Sequence, residues 1–210
     1  MVLTSSIFAM IAGKDSGRYG PDSWSDTDAD IGAYAKSKTL AERAAWDING
    51  NDTMELTVIN PGGVFGPPLS AQAGSPSVTM MSDMINGKMP MLPDLALNVV
   101  DVRDVARLHV TALTAPHAAG RRFIAATSEP IEFSTTAAIL KQAGYSKVST
   151  RKAPTVVLRL MSLFSREAKG LLPMLGKKIT LDTTSTSEIL EWQPTSMEAS
   201  VMDMAASLSK

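Results

Sequence analysis

The 210-residue chain contains no cysteine and only two histidines. Without thiols it cannot form disulfides, thiolate nucleophiles or zinc sites built on cysteine. The two histidines, His109 and His117, are too few for a histidine metal cage, and we predict no metal site. Any chemistry must therefore come from hydroxyls, amines, carboxylates or a bound organic cofactor. The lack of cysteine also fits a reducing, cytoplasmic location.

The chain also lacks an excess of charge of one sign. Twenty basic residues against 21 acidic residues leave a net charge of −1. This balance gives no electrostatic reason to bind nucleic acid or an anionic membrane surface. Apolar runs are interrupted by Pro, Lys or Asp well before the roughly 20 residues that a membrane span needs. Residues 1–4 carry no basic leader, so we expect no secretory signal and neither nucleic acid nor membrane as partner.

Short apolar runs alternate with amphipathic helical segments up to about residue 145. The apolar runs predict strands, and the segments with apolar residues at helical spacing predict helices. This alternation implies right-handed crossovers and a mostly parallel, doubly wound α/β sheet. Residues 13–30 are rich in Gly, Ser and Asp and predict a long loop. The predicted strands are 2–8, 56–59, 98–100 and 122–126, and the predicted helices are 32–48, 76–86, 102–113 and 133–143.

The pattern changes from Arg151 onward. Pro154, Pro173 and Pro194 punctuate helical segments, and strands no longer alternate with them. We therefore predict a smaller, mainly helical lobe for this part of the chain.

Tyr34 and Lys38 lie four positions apart in a predicted helix, so both project from one face. A free phenol titrates near ~10 and is a poor acid at neutral pH, but a neighbouring ammonium stabilises the phenolate. Such a pair can act as a general acid toward a carbonyl oxygen. The spacing by itself is a short motif that also arises by chance. The alternative is an exposed tyrosine and lysine on a surface helix.

Two polar strand ends flank this helix in the sequence. Thr4-Ser5-Ser6 ends the first predicted strand, and the turn 60–67 follows the next one. In a doubly wound sheet, ligands bind at the carboxyl ends of the strands. We therefore expect a hydroxyl, the phenol and the ammonium to converge at one crevice.

The motifs VLTSS, YAKSK, INPGGVFGP and NVVDVRDVARLH follow one another in that order, and Trp192-Gln193-Pro194 comes late in the chain. This series resembles the extended short-chain dehydrogenase/reductase superfamily (the NAD-dependent epimerase/dehydratase family), and most of all its dihydroflavonol-reductase-like aldehyde reductases. The resemblance implies that Tyr34 is the proton donor. It implies that Lys38 binds the nicotinamide ribose and favours the phenolate, and that Ser6 polarises the substrate carbonyl.

The resemblance also implies further cofactor contacts and a division of the chain into cofactor-binding and substrate-binding segments. The backbone of Pro61, Gly62, Gly63 and Val64 would contact the nicotinamide carboxamide, and Ser77 would make another contact. Segments 1–60 and 97–127 would form the remnant of a Rossmann-type NAD(P)-binding domain. Segments 61–96 and 128–210 would form the substrate-binding lobe. Trp24, in the loop before the helix, either walls the substrate cleft or covers the core.

The implied activity is NADPH-dependent reduction of an aldehyde or ketone to an alcohol by Ser-Tyr-Lys catalysis. The partner would be a small-molecule carbonyl compound, with NADP as the cofactor and NAD as its alternative. Two other functions stay open. One is a nucleotide-sugar epimerase or dehydratase with bound NAD, and the other is a non-catalytic remnant. The Met-rich segment 78–92 offers only Lys88 as a cation for a sugar diphosphate, which favours the reductase.

One departure from the family is large. Family members open with a G-x-x-G-x-x-G turn that holds the pyrophosphate at a helix N-terminus, and this unit would lie before Met1. The nearest substitute, 13–20, is not followed by an apolar helix. We expect a fragment, a misassigned start or a degenerate copy, inactive without its N-terminal half. Its first strand would be an exposed sheet edge that invites pairing with another chain, so a homodimer stays open.

Overall fold

The computed structural model describes residues 1–49, 54–70, 74–154 and 175–209. The chain divides into two compact units. Unit 1 holds the described residues within Met1–Gly63, Asn98–Pro130 and Lys178–Pro194. Unit 2 holds those within Val64–Leu97, Ile131–Lys177 and Thr195–Lys210. Both units are therefore assembled from separate stretches of the sequence.

Short strands and helices alternate along most of the described chain. The strands are β1 (Val2–Thr4), β2 (Gly17–Tyr19), β3 (Thr57–Pro61), β4 (Gly63–Phe65), β5 (Ala96–Leu97), β6 (Val99–Asp101), β7 (Arg122–Ala125), β8 (Ile131–Glu132) and β9 (Ile179–Leu181). The helices are α1 (Phe8–Ile11), α2 (Gly32–Asn49), α3 (Pro76–Ile85), α4 (Val102–Ala112), α5 (Phe133–Gln142), α6 (Thr184–Ile189) and α7 (Met197–Leu208). Within the described ranges, no helix combines the length and the apolar character needed to cross a bilayer.

Unit 1 is built on a parallel sheet with the strand order β1-β3-β7. Leu3 pairs with Val58, and Ile59 pairs with Phe123. Every residue of β3 and β7 is buried, as expected for strands covered on both faces. The predicted parallel α/β sheet is confirmed, and β1 lies at one of its edges.

Helices α2 and α4 begin and end close to their predicted bounds. Alanines and leucine at helical spacing make α2 a strong helix former. Helix α4 begins where the Asp101 side chain accepts a hydrogen bond from the backbone N–H of Arg103 at 2.8 Å, an N-cap that satisfies a free donor. The buried positions of α4 are Asp104, Leu108 and Ala112, one helical turn apart.

The predicted strand 2–8 is wrong beyond Thr4. The Ser6 hydroxyl accepts a hydrogen bond from the backbone N–H of Phe8 at 3.2 Å. Serine side chains that bond to nearby backbone in this way compete with strand pairing. The chain therefore turns after β1 and enters the short helix α1.

The predicted loop 13–30 contains a strand, β2, that no signal in the sequence predicts. Strand β2 pairs in parallel with β9, with Arg18 opposite Thr180. Its three residues form no alternating pattern, and its partner lies more than 150 positions away. Strand β9 also adds residues 178–194 to unit 1, although the sequence groups them with the helical lobe.

Unit 2 is mainly helical, with helices α3, α5 and α7 packed together and a short antiparallel pair formed by β5 and β8. Its core includes Met81, Met84, Leu140 and Met204, each at most 2% exposed. Ser75 caps α3 and Ser196 caps α7 through their side-chain oxygens. The helices predicted over 76–86 and 133–143 are confirmed to within two residues. Pro173 lies outside the described residues.

Gly62 gives the first testable prediction. A Cβ at this position would collide with the Asn98 carbonyl oxygen and lie 2.9 Å from Ala126 Cβ. Because backbone cannot move aside cheaply, we expect Gly62→Ala to lower the free energy of unfolding by about 1–3 kcal/mol, measured by denaturant titration. Gly20→Ala is the control, since its Cβ would make only ordinary contact at 3.7 Å. Its change should stay within about 0.5 kcal/mol, and equal losses in both variants would contradict the steric argument.

Candidate functional site

Ser6 lies at the carboxyl edge of the sheet in unit 1, between β1 and β3. The backbone N–H of Ser5 donates to Ile59 O at 2.8 Å, and that of Ile7 donates to Pro61 O at 3.0 Å. The Ser6 carbonyl accepts from Asn60 Nδ2 at 3.1 Å. The residue is therefore fixed from both sides and is only 5% exposed. Among the described residues its hydroxyl accepts a bond from Phe8 and donates none.

Tyr34 lies in the first turn of α2 and is 58% exposed. Its ring packs edge-to-face on the Phe8 ring, with the centroids 5.9 Å apart and the planes at 78°. Because the Phe8 amide also binds the Ser6 hydroxyl, Phe8 connects the predicted proton donor to the predicted carbonyl-binding serine. No described residue hydrogen-bonds to the Tyr34 phenol, so this group is free to meet a ligand.

Lys38 follows one turn later on the same helix and is half-buried. Residues four apart on a helix face the same side, so its ammonium lies on the Tyr34 side of α2. The described residues offer Lys38 no carboxylate partner.

The turn after β3 is held by hydrogen bonds within unit 1. Gly62 N–H donates to Ala125 O at 3.0 Å, and Gly63 N–H donates to Asn98 O at 2.9 Å. Asn98 Nδ2 is itself held by three carbonyls, including that of Ile179 at 3.0 Å. Both glycine N–H groups are thus occupied by backbone carbonyls of unit 1.

Val64 and Ser77, the other two predicted cofactor contacts, belong to unit 2. Ser77 lies in the first turn of α3, and its hydroxyl oxygen is 3.4 Å from that of Ser75. The role of both residues stays a prediction.

Glu42 is the residue that sequence reasoning missed. Its side chain is fully buried, and its carboxylate accepts hydrogen bonds from the Ser5 hydroxyl, Asn60 Nδ2 at 2.9 Å and Arg122 Nε at 2.6 Å. We call Ser5, Glu42, Asn60 and Arg122 the anchoring network. A signal was present in the sequence, because Glu42 continues the series of Tyr34 and Lys38 by one further turn.

Arg122 opens strand β7 and is hydrogen-bonded through its Nε and Nη1 atoms. Its Nη1 donates to the carbonyls of Pro21 and Ser23 at 2.5 and 2.6 Å. The Trp24 ring lies over the guanidinium, 3.9 Å from Cζ to the ring centroid, a cation–π contact. Trp24 thus covers this core arginine, and it also lines the neighbouring cavity. Beside it is a cavity of about 360 Å³ whose lining includes Trp46, Arg121 and Ser185.

The chain is similar to known reductases over part of its length. The yeast NADPH-dependent methylglyoxal reductase of Saccharomyces cerevisiae is 32% identical over 143 residues, which cover 59% of this chain and 42% of the relative. Cinnamoyl-CoA reductase 1 of Arabidopsis thaliana is 36% identical over 131 residues, which cover 60% of this chain and 38% of the relative. The matched part therefore spans less than half of either relative.

A solved structure extends the likeness to almost the whole chain. Gre2 from Candida albicans in complex with NADPH is 25% identical, with a TM-score of 0.71 over 99% of this chain and 63% of that one. The model of the NAD dependent epimerase/dehydratase family matches residues 2–126, a stretch that contains Ser6, Tyr34 and Lys38. The sequence motifs, the parallel sheet and this match together establish that the chain belongs to the NAD dependent epimerase/dehydratase family, within the extended short-chain dehydrogenase/reductase superfamily.

Proposed function

We propose that this chain supplies the catalytic residues of an NADPH-dependent reductase that converts an aldehyde or ketone to an alcohol. The observation that carries the proposal is the contact of Phe8 with both the Tyr34 ring and the Ser6 hydroxyl at the carboxyl edge of the sheet. The named activities of the relatives support the direction of the reaction. One of them reduces methylglyoxal with NADPH, and another acts on cinnamoyl-CoA.

Each residue has a role that its surroundings permit. The Ser6 hydroxyl keeps its proton free among the described residues, so it can donate a hydrogen bond to a carbonyl oxygen. Tyr34 would transfer its phenolic proton to that oxygen as the C–O double bond is reduced. Lys38 would stabilise the phenolate that remains. The exposed phenol can then be reprotonated from solvent.

NADPH, when bound, supplies the hydride that reduces the carbonyl carbon. The described residues suit the nicotinamide end of this cofactor. Lys38 could hold the ribose, and the backbone of Pro61–Val64 could contact the carboxamide. The glycine-rich stretch 13–20 does not suit the pyrophosphate, because Gly17–Tyr19 forms strand β2 rather than the helix N-terminus that binds phosphate.

We therefore propose that the dinucleotide is held mainly by a preceding glycine-rich segment and that the 210-residue chain alone is inactive. We also propose that segments 1–60 and 97–127 serve the cofactor and segments 61–96 and 128–210 the substrate, as the resemblance implies. We likewise propose a cytoplasmic location and a homodimer for this protein.

The second prediction concerns the 210-residue chain by itself. Without a pyrophosphate site, it should leave the fluorescence of NADPH unchanged at micromolar concentrations of both. A titration read by NADPH emission and by energy transfer from tryptophan checks this. Saturable enhancement by the chain alone would show that it holds the dinucleotide unaided, and the proposed need for a preceding segment would be wrong.

The third prediction concerns Tyr34. The part of the Saccharomyces cerevisiae reductase that precedes its matched region is fused in front of this chain, and NADPH consumption is followed at 340 nm with methylglyoxal and aromatic aldehydes. Tyr34→Phe should lower kcat by about 10²–10⁴-fold, because the proton donor is lost. The ring contact with Phe8 is retained in this variant, so its unfolding free energy should stay within about 0.5 kcal/mol of the parent.

The matched control is Tyr145→Phe, a tyrosine of unit 2 to which we assign no part in the reaction. It should keep the kcat of the parent fusion. If Tyr34→Phe turned over as fast as Tyr145→Phe, the assignment of the proton donor would be wrong. Purification of the fusion with tightly held NAD, and no turnover of aldehydes, would favour the epimerase or dehydratase reaction instead.

A further inference from the structure

We propose that Glu42 is a positioning residue whose buried carboxylate fixes helix α2 against the strand ends, so that Tyr34 and Lys38 face Ser6. The inference rests on the proposed function, because it assigns a task to Glu42 within the same site. Glu42 itself does not touch the substrate. It acts through the two elements that carry the reacting groups.

The anchoring network joins one helix position to all three strands of the sheet in unit 1. Glu42 Oε2 accepts from the Ser5 hydroxyl, just after β1, and from Asn60 Nδ2 in β3. Glu42 Oε1 accepts from Arg122 Nε at the start of β7. A second donor to Oε1, Trp46 Nε1 at 3.5 Å, comes from the next turn of α2. One carboxylate thus fixes both the rotation of the helix and its distance from the sheet.

The network also reaches the residue that carries the reactive hydroxyl. Asn60 Nδ2 donates to the Ser6 carbonyl at 3.1 Å and to Glu42 Oε2 at 2.9 Å. Ser5, the preceding residue, binds the same carboxylate oxygen. The Glu42 carboxylate therefore holds both the side chain that binds the Ser6 carbonyl and the residue that precedes Ser6.

Helix geometry connects Glu42 to the phenol. At 100° per residue, positions 34, 38 and 42 lie within an arc of about 80° and rise by roughly 6 Å from one to the next. Exposure falls along this line from 58% at Tyr34 to 1% at Glu42. Tyr34 is thus open to solvent, while Glu42, two turns later, is buried and held by hydrogen bonds. Misplacement of a catalytic group by ~1 Å can cost ~10²-fold in rate.

The buried ion pair between Glu42 and Arg122 supports a positioning role for Glu42 more than a stabilising role. Desolvation of a buried acid–base pair offsets much of its Coulomb attraction, and apolar replacements are often equally stable. Arg122 is also held independently of Glu42, by Trp24 and by the carbonyls of Pro21 and Ser23. The guanidinium is therefore a fixed point to which the helix is tied.

The test compares Glu42→Gln with Asp104→Asn. Asp104 is a second buried acid of unit 1, lies on α4 and is ion-paired to Arg107, so its loss removes a similar interaction away from α2. In the 210-residue chain, hydrogen exchange resolved by mass spectrometry should be at least tenfold faster in Glu42→Gln at residues 5–8 and 34–38. Asp104→Asn should leave both stretches at the parent rate.

The fusion described above gives the second readout. Glu42→Gln should lower kcat by about 10–100-fold while KM changes less than threefold, because the substrate-binding groups stay and only their alignment is lost. Asp104→Asn should keep the kcat of the parent at equal folded fraction. If Glu42→Gln does not fold, Ser5→Ala removes one donor and keeps the carboxylate, and it should give the same local exchange pattern with a smaller fall in kcat.

The outcomes separate this inference from the proposed function. An inactive parent fusion, or an active Tyr34→Phe, counts against the proposed function, and the exchange pattern then decides whether Glu42 sets the geometry of residues 5–8 and 34–38. A Glu42→Gln variant with the parent's kcat and parent exchange rates overturns the inference. The inference is also overturned if Glu42→Gln loses activity only in proportion to its unfolded fraction, as we expect for Asp104→Asn.

Discussion

A single buried carboxylate accepts hydrogen bonds from β3, from β7 and from the residue just after β1 in the sheet of unit 1. Helix–sheet contacts are mostly apolar and allow a helix to slide or roll by small amounts, whereas hydrogen bonds to a charged group have defined lengths and directions. The bonds of Glu42 to Ser5, Asn60 and Arg122 therefore set the position of α2. The Ser6 backbone, the start of β7 and the Tyr34 end of the helix all take their places relative to this group.

Much of the fold of unit 1 could be predicted because its signals are local. The apolar run of β3, the alanine-rich α2 and the Asp101 cap of α4 each lie within a few residues of the feature they determine. The parallel pairing of β1, β3 and β7 then follows from the alternation of strands and helices. The family membership was also predictable from short motifs in a fixed order, and the match over residues 2–126 confirms it.

Features that depend on distant residues could not be predicted in the same way. Strand β2 is three residues long, and it forms only because Ile179–Leu181 lies beside it. The end of β1 depends on a serine hydroxyl that turns the chain toward α1. Within the site, Tyr34, Lys38 and Ser6 were identified from motifs. Glu42 was not, because a glutamate next to an arginine in a helix resembles a solvent-exposed pair. Its actual partner, Arg122, is 80 positions away.

The discontinuity of unit 1 has a consequence for how the protein is made. Strands β1, β3 and β7 have all been synthesised by residue 125, but β2 has no partner until β9 emerges from the ribosome. Contacts between positions so far apart form slowly, because a long loop must close before they add stability. Strand β2 of unit 1 therefore stays unpaired while most of unit 2 is translated. During that interval the nascent chain exposes an unpaired strand edge, which favours aggregation.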